Sequence, residues 1–162
     1  MIIHRLNQLS IVQQTRKGNN IANVQQQFIS QSNISQFRYI QRKYSDCRVT
    51  FKSEPSAIYN CHGMTFASSR ASIEEPQEIS KILNDDNYTL IDIKDVLPGD
   101  IIIYFNNEEA IHSGIVVQIQ NESPYIHTVL SKWGFFREAI HPFNFCPYID
   151  KSDAIKFYRI FI

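Results

Sequence analysis

The feature that most constrains the fold is a change of pattern near residue 88. Before it, apolar residues follow Cys61 at helical spacing, and a second helix is predicted to begin at Pro76, since proline is well tolerated at a first helical position. After it, turn signals separate short β-rich segments, which are YTLI, IIIYF, SGIVVQI, YIHTVLSKW and AIKFYRIFI. Helices followed by successive strands predict an α+β fold with an antiparallel meander.

The first part of the chain has a different composition. Residues 7–36 are rich in glutamine and asparagine, with isoleucine, valine and phenylalanine between them. The apolar spacing predicts a helix over 21–40, which we interpret as a packing helix or a docking surface for a protein partner. We therefore divide the chain into an N-terminal helical extension, residues 1–47, and a main domain, residues 48–162.

Composition excludes several classes of function. Sixteen basic and sixteen acidic side chains cancel and no Lys/Arg run occurs, so nucleic-acid binding is not expected. No run of eighteen apolar residues is present and the first residues lack the pattern of a signal peptide. We expect no membrane association and either a cytoplasmic location or secretion by a non-classical route.

The three cysteines are too few and too scattered for a disulfide scaffold, and none lies in the CxxC pair that a zinc site usually needs. A metal site could only combine residues of unmatched spacing, namely Cys61, His62, His112 and His127. We therefore predict no metal and no cofactor.

The segment NCHGMTF, residues 60–66, places a cysteine at a predicted helix start. Asn60 is a favoured cap, and Gly63 allows close approach of backbone or substrate. The free amides and the helix dipole would stabilise a Cys61 thiolate and could hold an oxyanion. His112, at the start of a predicted strand, is the best-placed base. By itself, however, a cysteine at such a position is more often an inert core residue.

Three motifs in order, NCHGM, VLPGDIIIYF and HSGIVV, resemble the NlpC/P60 group of papain-like cysteine hydrolases. The resemblance covers roughly residues 57–135, and SKWG is similar to a subgroup of these proteins. It implies a papain-like NlpC/P60 fold in which the cysteine-bearing helix packs on a central antiparallel sheet. It also implies Cys61 as nucleophile and His112 as base in a thioacyl-enzyme mechanism.

The third catalytic residue stays open between several positions. A tight turn at 121–122 would place Ser131 opposite His112, whereas a longer turn would bring Lys132 or Trp133 there. The family pattern instead favours His127, in PYIHTV. We prefer Ser131. A histidine commonly follows SKWG in the subgroup, and His141 is its counterpart here.

Four further residues are candidates for lining the substrate cleft: Asn60, His62, His127 and Trp133. His62 is expected to point away from the cleft, and Trp133 is either a cleft wall or a core aromatic.

The resemblance predicts a cysteine peptidase or amidase acting on an amide, peptide or isopeptide bond, as a toxin-like effector or a cell-wall enzyme. The alternatives are an inactive binding protein on the same fold, and an acyltransferase or deamidase.

Overall fold

The computed structural model describes residues 8–161, and over this range the chain is an α+β protein with three α-helices and a seven-stranded antiparallel sheet. The helices are α1 (Gln31–Lys43), α2 (Cys61–Ala67) and α3 (Pro76–Asp85). The strands are β1 (Gln8–Leu9), β2 (Gln25–Gln26), β3 (Thr50–Phe51), β4 (Tyr88–Ile91), β5 (Ile101–Asn106), β6 (Glu109–Gln118), β7 (Thr128–Lys132), β8 (Glu138–Pro142) and β9 (Ala154–Ile160). Two 3-10 helices span Ile93–Asp95 and Ile149–Lys151.

The main sheet has the strand order β3-β8-β7-β6-β5-β9-β4, and all its neighbours pair antiparallel. Strands β5 to β8 follow the predicted meander, but β9 inserts between β5 and β4. The prediction of an α+β fold with an antiparallel sheet is confirmed, while β8 was missed. No helix within residues 8–161 is long and apolar enough to cross a membrane.

The core lies on both faces of the sheet. Ile102 and Tyr104 face an aromatic cluster that includes Phe37 of α1, whereas Ile101 and Ile103 face the isoleucines of α3. Successive strand residues point to opposite faces. Burial on both faces therefore explains why β5 is a continuous apolar run.

Two helix predictions need correction. The predicted helix over 21–40 is wrong in its first part, because α1 begins only at Gln31. Ser30 is its cap and forms a capping box with Asn33 in the first turn. Residues 24–26 are extended instead. Val24 exchanges two backbone hydrogen bonds with Ser72, in the segment that follows α2. Helix α2 is also shorter than its apolar spacing suggested, since Ser68 takes a left-handed φ of 53°. Helix α3 begins at Pro76, as predicted.

The segment before α1 is attached to the rest of the chain by hydrogen bonds. The buried carboxylate of Glu78 in α3 accepts from the Ala22 amide at 2.9 Å, and Asp85 accepts from Thr15 Oγ1 at 2.8 Å. These contacts dock residues 15–24 on α3. The domain boundary at residue 47 stays a prediction.

Candidate active site

Helix α2 begins at Cys61 because Asn60 caps it, as predicted. Asn60 Oδ1 accepts from the Gly63 amide at 2.8 Å and from the Ile73 amide at 3.2 Å, while Nδ2 donates to the Ile73 carbonyl at 2.8 Å. A Cβ on Gly63 would lie 1.8 Å from the Ala71 carbonyl oxygen. The glycine therefore makes room for the chain that follows the helix.

The Cys61 side chain is enclosed, with the residue only 5% exposed. Burial raises the pKa of its thiol to about 11. The backbone N–H groups of Ser113, His62 and Cys61 itself oppose this rise, as does the positive charge of Lys132. The resting thiol is therefore neutral at pH 7, yet the groups that stabilise a thiolate already surround it.

His112 is fully buried in β6, between two tyrosine rings. The Tyr148 ring stacks on the imidazole with centroids 3.7 Å apart and planes 7° apart, and the Tyr104 ring lies at 5.2 Å. Neither ring nitrogen of His112 has a hydrogen-bond partner among the described residues. Burial lowers the pKa of His112 well below its usual value, and the charges of His141 and His62 lower it further. The imidazole is therefore neutral, with an unused acceptor nitrogen.

Cys61 at the start of α2 and His112 in β6 belong to elements that pack on each other, but their side chains are not hydrogen bonded. Helix α2 packs on β6 and β7, and the backbone amide of Ser113, the residue next to His112, lowers the pKa of the Cys61 thiol. The His112 side chain shares a face of the sheet with Tyr104, whereas the Ser113 side chain contacts α2 on the opposite face. The structure therefore does not bring the thiol and the imidazole into hydrogen-bond contact, and proton transfer between Cys61 and His112 stays a prediction.

The predicted register between β6 and β7 is wrong by two residues. Ser131 pairs with Gly114 instead of His112, because the connection over 119–127 is longer than a tight turn. Ser131 Oγ lies 2.8 Å from His141 Nε2 and accepts from Trp133 Nε1 at 3.1 Å. Ser131 as the group that orients His112 stays a prediction, and its hydroxyl has other partners here.

The other sequence candidates lie in packed surroundings. His127 donates from Nε2 to the Ile93 carbonyl at 2.7 Å and accepts the Gln120 amide at Nδ1, so both of its ring nitrogens are used. Trp133 is 2% exposed and packs as a core aromatic. His62 points into the sheet, where Nδ1 lies 2.8 Å from Ser113 Oγ.

Sequence reasoning missed Tyr148, which covers His112. It lies in the segment FCPYIDK outside every predicted element, so no periodicity or motif marked it. Burial raises the pKa of Tyr148, and negative charge at Cys61 or Cys146 would raise it further.

In the part of the chain that the structure describes, no group of three or more His, Cys, Asp or Glu side chains is arranged to hold a metal ion. Comparison of the chain with models of known protein families, with curated proteins and with solved structures found no match.

Proposed function

We propose that this protein is a cysteine hydrolase of the NlpC/P60-like class, cleaving an amide, peptide or isopeptide bond through a thioacyl enzyme. One observation carries the proposal. Cys61 begins a capped helix that packs on the strand carrying His112, a buried histidine whose two ring nitrogens have no partner among the described residues. A buried polar group without a partner costs free energy and is therefore typical of a functional role. The packing of α2 on an antiparallel sheet supports the papain-like part of the proposal.

The chemistry follows from these groups. His112 takes the proton of the Cys61 thiol, and the sulfur attacks the carbonyl carbon of the scissile amide. Backbone N–H groups at the start of α2 stabilise the oxyanion of the tetrahedral intermediate. The C–N bond breaks as His112 returns the proton to the leaving amine. Water then attacks the thioester with His112 as base, which releases the acid and restores the thiol.

The test is turnover of a defined amide panel followed by mass spectrometry. The panel contains α-linked peptides, γ-linked peptides with D-residues, lysine isopeptides and glutamine side-chain amides. We expect Cys61→Ala to abolish turnover and His112→Gln to lower it by about 10²-fold or more. Cys47→Ala, at an exposed cysteine, is the matched control and should retain wild-type turnover. Hydrolysis by Cys61→Ala at the wild-type rate would refute the proposal.

A binding protein on the same fold is the second candidate, and the closed geometry favours it. Burial raises the pKa of Cys61 to about 11, and no hydrogen bond joins it to His112 in the described residues. Its docking surface would be α1 with the apolar groove of about 520 Å³ beside it, lined by Ile34, Phe37, Pro55 and Phe136. No turnover of any amide by folded wild-type protein, with α1-dependent capture of a partner, would favour this function.

A further inference from the structure

We propose that Lys132 is the cation that stabilises the Cys61 thiolate, which makes it a positioning residue for the nucleophile. The inference rests on the proposed function, and it assigns Lys132 to the cysteine instead of to His112.

The ammonium group of Lys132 is buried without a carboxylate partner. The residue is 0% exposed, and Nζ donates to the carbonyls of Ser56 and Gly134, both at 2.9 Å. The same nitrogen lies 4.8 Å from the centroid of the Tyr59 ring. No carboxylate within residues 8–161 forms an ion pair with it. Lysine is almost never fully buried unless it is paired, and this ammonium is held directly only by two carbonyl oxygens and an aromatic ring.

The neighbouring carboxylate is already used by another group. Glu138 pairs with Lys132 across β7 and β8, but its Oε1 accepts the Tyr59 hydroxyl at 2.7 Å. Glu138 therefore makes no direct ion pair with Lys132, although its negative charge raises the pKa of Lys132 more than Cys61 does.

Cys61 is the second group whose negative charge can act on this ammonium. Lys132 lies over the ring of Tyr59, two residues before Cys61, and α2 packs against β7. The two groups act on each other: the charge of Lys132 lowers the pKa of Cys61, and Cys61 raises the pKa of Lys132. When His112 removes the thiol proton, the Cys61 thiolate would form an ion pair with the protonated side chain of Lys132. Acylation then neutralises the sulfur, and hydrolysis of the thioester passes through the same pair before the proton on His112 returns to the thiolate and restores the thiol.

Titration of the neighbouring groups gives the proposal a distinct signature. Burial lowers the pKa of Lys132 to about 8, and the charges of Glu138 and Cys61 oppose this. The pKa of Tyr59 is raised to about 12, that of Tyr148 is raised further, and that of His62 is lowered to about 4. The pKa of His112 is also well below its usual value. A change near pH 8 in the rate at which Cys61 is alkylated would therefore indicate loss of the Lys132 proton.

The experiment measures the rate of Cys61 alkylation by iodoacetamide from pH 6 to 11, resolved by peptide mass spectrometry. In wild type the rate should rise with pH to about 8 and then level off, because each proton lost from Lys132 removes the stabilising charge. Lys132→Met should lose this break and react about tenfold more slowly at pH 7.5, since an opposite charge nearby typically shifts a pKa by at least one unit. Lys132→Arg keeps the charge and should restore the rate at pH 7.5.

The other two cysteines are internal controls in every sample. The alkylation rate of exposed Cys47 corrects for reagent concentration and intrinsic reactivity. A faster alkylation of buried Cys146 would show that the core has loosened. A wild-type profile without a break near pH 8 would overturn the proposal, whatever the variants do. So would a Lys132→Met protein with protected Cys146 and an unchanged Cys61 profile. Because alkylation needs no substrate, these outcomes are independent of the turnover of Cys61→Ala, which tests the proposed function.

Discussion

Mild acid should destabilise this protein because it buries neutral histidines. His62 is 4% exposed and His141 is fully buried. Burial lowers the pKa of each to about 4, against about 6.5 in an unfolded chain. At a pH between these two values, the two histidines therefore take up protons when the protein unfolds. The stabilising contribution is complete above pH 6.5 and is lost as the pH falls from 6.5 towards 4.

The magnitude follows from the linkage relation. At pH 5 the unfolded imidazole is almost fully protonated, whereas the folded one is about one tenth protonated, so each histidine costs about 2 kcal/mol relative to pH 8. Together the two remove about 4 kcal/mol, a large part of the 5–15 kcal/mol that is typical of a folded domain. His112 shifts in the same direction and adds to the loss.

The assay is urea unfolding at constant ionic strength at pH 8, 7, 6 and 5, followed by the fluorescence of the single tryptophan, Trp133. This range lies above the usual pKa of aspartate, so the histidines dominate the change. The variant His62→Gln should lower the slope of the unfolding free energy at pH 5 by about 1.2 kcal/mol per pH unit, whatever it does to stability at pH 8. An unfolding free energy that changes by less than about 0.5 kcal/mol between pH 8 and pH 5 would refute the reasoning.

Three further substitutions test the packing around the site by thermal and urea unfolding. Gly63→Ala should cost about 3 kcal/mol, because its Cβ would lie 1.8 Å from the Ala71 carbonyl oxygen; an unchanged midpoint would show that this backbone moves freely. Asn60→Ala should cost about 1–3 kcal/mol, since it removes the helix cap and leaves buried backbone groups unpaired, whereas a loss below about 0.5 kcal/mol would contradict the cap. Asp100→Asn should cost about 1–2 kcal/mol, because it removes the negative charge and one of the two acceptor oxygens that Arg159 binds at 2.7 Å; a neutral effect would mean that the pair contributes little.

Local patterns were enough to predict several elements near the site. Asn60 accepts a hydrogen bond within the first turn of the helix it precedes, and Pro76 fits a first helical position by its fixed φ. The apolar run over 101–105 and the turn after it are equally local signals. The same reasoning failed for residues 21–28, where backbone pairing with the segment after α2 took precedence over helical spacing.

The amino-acid sequence by itself determined the α+β class, the start of α2 at Cys61 and the strand that carries His112, because caps, turns and hydrophobic periods act over a few residues. Only the tertiary structure decided what surrounds those two side chains. The length of the loop between β6 and β7 set the register that moved Ser131 opposite Gly114. Distant segments also had to meet before Tyr148 could cover His112 and Lys132 could lose its contact with water. Burial of this kind depends on long-range packing, which no local pattern records.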